Sequence, residues 1–341
     1  MSEVLRTIAA SVEGPDAVVS IENLSVDGAN GVRILDGISL AVHLGETLGV
    51  LGESGSGKSM TALACLGLLP SNVTVAAGSS VVVNGTQVVG ADRQTLQKLR
   101  SQSVGMVFQD PSLALDPTMK IGRQITEVLW RTRGLSRAEA RARAIDLLQK
   151  VEISDPATRV DLYPHELSGG MRQRVVIAMA LAGGPALILA DEPTTAVDTT
   201  IQGRILELLE KLKAEQNLGL LLISHDLRVI SHVADRVVVM YAGRVVESGP
   251  THEVLSAPQH WYTAALVDSI PSIRDGRRVK PIVGTPASPA TRPSGCPFHP
   301  RCAAATEICS TVAPATTSMT TGAGVHSFAC HHPRQKANDG H

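Results

Sequence analysis

Residues Gly52-Glu53-Ser54-Gly55-Ser56-Gly57-Lys58-Ser59 follow the spacing G-x-x-x-x-G-K-S. Glycines at this spacing let main-chain N–H groups turn inward around an anion, and a helix starting behind them adds its dipole. The lysine would then reach the β- and γ-phosphates of a nucleotide, and the Ser59 hydroxyl would ligate Mg2+. Far downstream, the apolar run Leu187-Ile188-Leu189-Ala190 ends in Asp191-Glu192. Two adjacent acids at the end of a buried strand are costly without a cation. Beside a phosphate loop, Asp191 suits the Mg2+ shell and Glu192 suits orienting or deprotonating an attacking water. Alone, the pair reads equally well as a strand-end cap. Leu167-Ser168-Gly169-Gly170 precedes a helical pattern, and offers either an ordinary N-cap or N–H and hydroxyl donors for an anion.

These residues need elements to position them. The runs ETLGVLG, VGMVFQD, ALILADEP and GLLLISHD are each apolar and each end in polar residues. That is the pattern of central parallel strands with functional loops at their carboxyl ends, in an α/β fold. Residues 18–50 read as short strands, and MTALACLGLL after the glycine loop has helical spacing. Residues 112–165 are richer in Arg, Glu and Ala. Within them, SRAEARARAIDLLQKV reads as a solvated helix with Ser136 as N-cap and Glu139 completing a capping box. VVVM and GRVVESG between Asp235 and Pro250 resemble an edge hairpin. The stretch from Val175 to Ala190 has no charge, but Gly183-Gly184-Pro185 interrupts it. It is expected to be a buried helix and then a buried strand, not a membrane span. Residues Pro271 to Pro300 hold seven prolines and read as a linker or extended arm. The tail from Lys336 is expected to be disordered.

Composition excludes some classes. The 341 residues are 43% hydrophobic and 18% charged, which is globular. With 31 basic and 32 acidic residues the net charge is −1, which argues against a broad cationic face for nucleic acid. No apolar h-region opens the chain, so a soluble or membrane-peripheral protein is expected.

On these motifs, residues 18–260 resemble the ATP-binding subunit of an ABC transporter. LSGG at 167–170 matches that family's signature, and Gln109 in VFQDP resembles its Q-loop. Thr195-Ala196-Val197-Asp198 resembles its D-loop, with Thr and Val in place of the usual Ser and Leu. His225 in ISHD resembles its switch histidine. The resemblance implies a P-loop NTPase core of RecA-like type, an antiparallel β subdomain and an α-helical subdomain at about 111–174. It also implies a head-to-tail dimer in which Ser168, Gly169 and Gly170 serve the partner's nucleotide, with Asp198 at the interface. Glu192, His225 and Gln109 would be catalytic, and Gln109 would join Ser59 and Asp191 around Mg2+. The family usually stacks an aromatic on adenine, yet none of the eight aromatics precedes Phe108. Val32, Arg33 or Ile34 would have to cover the base, with weaker base selectivity as the expected result.

Four of the five cysteines, Cys296, Cys302, Cys309 and Cys330, are spaced C-x5-C-x6-C-x20-C. This does not match an ordinary zinc finger. Four thiolates suit a structural Zn2+ or an iron–sulfur cluster, with His299, His326, His331 and His332 as possible substitutes. Cys65 is expected to be a core thiol. GCPFHPRC, together with PQHWYTAALVDSIP, GESGSGKS and YPHELSGGMRQRV, resembles the oligopeptide and dipeptide importer ATPases. Residues 261–335 would then be their small Cys-rich C-terminal extension. The resemblance implies a [4Fe–4S] cluster there, a second ATPase subunit, two permeases and an extracytoplasmic binding protein. It also implies a place on the cytoplasmic face of the membrane. Nickel or another small solute is the alternative cargo. A soluble ABC ATPase acting on nucleic acid and a metal-sensing switch are the alternatives from other classes.

Overall fold

The structure, a computed structural model, describes residues 17–194, 199–270 and 281–334. Among the described residues, thirteen strands form two sheets. They are β1 (Ala17–Gly28), β2 (Arg33–His43), β3 (Thr47–Leu51), β4 (Val73–Val75), β5 (Ser80–Val83), β6 (Thr86–Gln87) and β7 (Val104–Val107). After these come β8 (Leu187–Asp191), β9 (Gly219–Ser224), β10 (Arg236–Tyr241), β11 (Arg244–Pro250), β12 (Thr317–Thr321) and β13 (Gly324–Phe328).

The smaller sheet runs β2-β1-β5-β6, with β4 also on β1, and every pairing in it is antiparallel. The larger sheet runs β12-β13-β11-β10-β3-β9-β8-β7, and it is parallel from β10 through to β7. Every residue of β3 and β9 is buried. Both faces of these strands are covered, so their sequences are continuous apolar runs and do not alternate.

The register aligns the functional ends. Leu51 pairs with Ser224, Asp191 with Ile223, and Val107 with Ala190. The loops that follow β3, β7, β8 and β9 therefore leave the sheet along one edge.

The uncharged stretch is indeed a helix, Gly169–Ala182, followed by β8. No helix among the described residues is long and apolar enough to cross a membrane. The helix Arg137–Lys150 carries the expected capping box from Ser136 and Glu139. It is solvated on one side only, because Ala140, Ala144, Leu147 and Leu148 are buried against the helices Ile121–Arg133 and Gly169–Ala182.

One expectation needs correcting. β10 and β11 form a hairpin, but β11 is not an edge: β13 pairs with it through Glu247 and Ser248, and β12 lies beyond. The C-terminal residues extend the main sheet because β11 leaves its outer hydrogen-bonding groups open to another strand.

Candidate nucleotide site

The glycine loop turns directly out of β3 into the helix Lys58–Cys65. Gly57 caps this helix at φ +104°, a conformation that other residues rarely adopt. At Gly52 a Cβ would stand 2.3 Å from the Met240 carbonyl oxygen, so only glycine lets the loop lie against β10. Lys58 is buried and folds back on the loop. Its Nζ donates to the carbonyl oxygens of Gly52 (2.7 Å) and Glu53 (3.1 Å). Burial lowers its pKa, opposed by the charges of Glu192, Asp191 and Glu53.

The carboxylates lie where β8 ends. Burial raises the pKa of Asp191 and the nearby Glu192 charge adds to this, while a hydrogen bond from Ser59 opposes both. Ser59 and Asp191 thus meet as hard oxygen donors, a set that suits Mg2+. Glu192 sits at φ +48°, in the left-handed region, with its N–H on the Ile223 carbonyl (3.0 Å). Its Oε1 lies 2.9 Å from His225 Nδ1, and its Oε2 accepts from Gln109 Nε2 at 3.1 Å. Strain at a residue whose two carboxylate oxygens are held by two separate loops is the pattern of a constrained functional side chain. Gln109 and His225, expected to be catalytic, both converge on the Glu192 carboxylate.

Ser168 caps the helix Gly169–Ala182 by accepting from the Met171 N–H at 3.4 Å. Ser168 and Gly169 are exposed, whereas Gly170 is buried and packs against Ile201. Gln173, one turn into the same helix, donates to the Phe108 carbonyl at 3.5 Å. This ties the signature helix to the loop carrying Gln109. Asp198 and the rest of the D-loop-like stretch lie outside the described residues.

Arg33 is tied down by carboxylates. It pairs with Asp27 and Asp36, and its carbonyl accepts from Arg292 Nη2 at 2.9 Å. Arg292 also bonds the Ile34 carbonyl and pairs with Asp36. The region expected to cover adenine is therefore braced by a residue from the C-terminal arm, which sequence reasoning missed. A single arginine in a proline-rich stretch carries no local signal for such a long-range contact.

Three of the scarce aromatics, Tyr241, Tyr262 and Phe298, pack together with ring centroids 4.7–5.4 Å apart. The Tyr262 hydroxyl accepts from the Glu53 N–H at 2.9 Å. Arg301 grips the Glu53 carboxylate at 2.6 and 3.0 Å. Tyr262 and Arg301 lie inside HWYT and HPRC, stretches that stood out in the sequence without a role for these two residues.

Cys296, Cys302, Cys309 and Cys330 line one small pocket of about 10 Å3, partly open to solvent, together with His260, His299, His331 and His332. His326 is elsewhere, bonded to Glu247 at 2.8 Å. All four thiols are free. Burial pushes Cys296 up to about 11, and the three neighbouring thiols add to it. Burial also raises Cys302 and Cys330. Among the described residues, no three His, Cys, Asp or Glu side chains form a group that could hold a metal ion. The thiols frame a space and do not form a ready ligand shell. Cys65 is the expected core thiol, fully buried and pushed up to about 12.

Comparison with known proteins agrees with this geometry. Residues 35–195 match the ABC transporter family, and residues 246–309 match the oligopeptide/dipeptide transporter C-terminal region. The oligopeptide transport ATP-binding protein OppD of Escherichia coli (strain K12) is 42% identical over 314 residues, covering 90% of this chain and 92% of that protein. The dipeptide transport ATP-binding protein DppD of the same organism is 42% identical over 325 residues, covering 94% and 98%. Among solved structures, cbiO1 from Clostridium perfringens, part of the ABC transporter complex cbiONQ, superimposes with a TM-score of 0.63 at 28% identity. It covers 71% of this chain and 91% of its own. The dimeric ATP-binding cassette MJ0796 bound to ADP and Pi gives 0.60 at 29% identity, covering 68% and 98%. Fold and site together define an ABC-type ATPase cassette. The chain belongs to the oligopeptide/dipeptide family of ABC transporter ATP-binding proteins.

Proposed function

We propose that this chain hydrolyses ATP to power import of oligo- or dipeptides through separate permease subunits. The observation that carries the reading is the Glu192 carboxylate, held between His225 and Gln109 at the strand edge that also bears Gly52–Ser59. Lys58 and the loop amides would bind the phosphates. Glu192 would take the proton of the attacking water, with His225 and Gln109 fixing its two oxygens. Bound Mg2+, held by Ser59 and Asp191 with Gln109 nearby, would neutralise charge on the phosphate oxygens. The two relatives' names specify oligopeptide and dipeptide transport, which supports the cargo class.

Ser168, Gly169 and Gly170, exposed or at a helix start, would serve the nucleotide of a second ATPase subunit, with Asp198 at that interface. Leu113 and Trp130, 86% and 63% exposed on the helical part, offer apolar surface for a permease. An extracytoplasmic binding protein would deliver the peptide, and the chain would work at the cytoplasmic face of the membrane. We divide the chain into a cassette at 18–260, with helical part 111–174, and an arm at 261–335. The four arm cysteines line one pocket and have the chemistry to hold a [4Fe–4S] cluster, with Zn2+ the alternative.

The test is Glu192→Gln in the assembled transporter. ATP binding should persist, while turnover and peptide uptake fall by about 10²–10⁴-fold, the usual yield of a general base. Unchanged ATPase would overturn the role of Glu192, and peptide-independent function would overturn the cargo.

A further inference from the structure

Glu53 is held twice by residues from beyond position 260. Its main-chain N–H donates to the Tyr262 hydroxyl at 2.9 Å, and its carboxylate takes both Nη atoms of Arg301 at 2.6 and 3.0 Å. The next link leads into the site, because Lys58 Nζ donates to the Glu53 carbonyl at 3.1 Å.

Arg301 is itself immobilised. Its Nε donates to the Val283 carbonyl (3.1 Å), and Nη1 also reaches the Tyr241 hydroxyl (3.3 Å). Its guanidinium lies 5.8 Å from the ring centroids of both Tyr241 and Phe298, and its side chain is 4% exposed. It sits in the 3-10 turn His299–Arg301, between Cys296 and Cys302.

Electrostatics makes this contact consequential. A carboxylate inside a loop that receives polyphosphate repels its ligand unless it is neutralised. A planar guanidinium neutralises it with a fixed two-bond geometry, which a lysine cannot reproduce.

We propose that Arg301 is a positioning residue for the nucleotide site. It neutralises Glu53 and locks the loop that holds Lys58, so that nucleotide affinity depends on the docked C-terminal arm. The proposal rests on reading Gly52–Ser59 as a nucleotide loop.

The experiment uses the full chain and a non-hydrolysable ATP analogue with Mg2+. Arg301→Ala should weaken binding at least tenfold. Arg301→Lys, which retains the stem and charge, should weaken it at least threefold. Adding Glu53→Gln to Arg301→Ala should recover at least threefold, since the unneutralised carboxylate is then gone; a merely structural role for Arg301 gives no such rescue. Analogue affinity within twofold of native in either single variant, or no rescue, overturns the proposal. Hydrogen exchange of the nucleotide-free chain separates it from the functional reading. If the native chain does not bind the analogue, the nucleotide reading fails. The brace is then judged by exchange at residues 52–57, which Arg301→Lys should accelerate at least threefold and which, if unchanged, overturns it.

Discussion

Glu247 is the residue whose removal should most clearly detach the arm. Its carboxylate is completely buried. Oε1 accepts from the Gln259 N–H at 2.6 Å and lies 2.8 Å from His326 Nε2, while Oε2 accepts from the His260 N–H at 3.0 Å. One side chain on β11 therefore joins the segment leading into the helix Trp261–Asp268 to strand β13. Glu247→Ala leaves two buried main-chain donors and one ring nitrogen without their acceptor. Each orphaned donor costs about 1–3 kcal/mol. We take about 4 kcal/mol, equivalent to roughly a thousandfold change in the docking equilibrium.

The reporter is hydrogen exchange at the Ala329 N–H, which bonds the Val246 carbonyl at 2.9 Å across the same junction and is not one of the bonds the Glu247 side chain makes. Its exchange should accelerate by about 10³ in Glu247→Ala if local undocking controls it. Glu247→Gln should fall in between, at about 10–100-fold. Its amide keeps one acceptor oxygen but turns an N–H2 group toward a donor. Acceleration below tenfold in the alanine variant, or native behaviour in the glutamine variant, would refute the claim that an acceptor-only carboxylate holds this junction.

Other outcomes follow from the same structure. Burial works to raise the pKa of Asp36, but the Arg244 hydrogen bond and the charges of Arg244, Arg292 and Arg33 outweigh it and hold the carboxyl below its ordinary 3.8. A lowered folded pKa gives stability that is complete above 3.8 and lost as pH falls through the folded value. Asp36→Asn should thus have a lower urea midpoint than the native chain, by a constant amount from pH 7 to about pH 4.5, with the gap closing only below 3.8. A gap that closes near neutral pH would contradict this. For the cysteine cavity, anaerobic purification should give protein that absorbs in the visible and contains iron, both lost on chelation or in Cys302→Ser; colourless, zinc-replete protein would end the cluster assignment.

The sequence by itself singled out the residues proposed for the nucleotide site. Asp191, Glu192 and His225 stand out because each sits where an apolar strand gives way to a polar loop, and Lys58 and Ser59 because they open the helix behind a glycine loop. That transition is local, and it is written in a few consecutive residues. The glycines of the loop were equally legible, since φ +104° at Gly57 and the close approach at Gly52 admit little else. The capping box at Ser136 was also readable, because its partners are three residues apart.

Only the tertiary structure decided how the arm engages the cassette. Arg301 meets Glu53 across 248 positions, and Arg292 meets Asp36 across 256. No periodicity or spacing encodes such pairs; they form where the arm packs against the cassette beside the glycine loop. The same docking made β11 an inner strand when its own sequence suggested an edge. It also explains where the scarce aromatics went. Three of them gather behind the glycine loop, where large rings and a buried guanidinium fill the junction between cassette and arm.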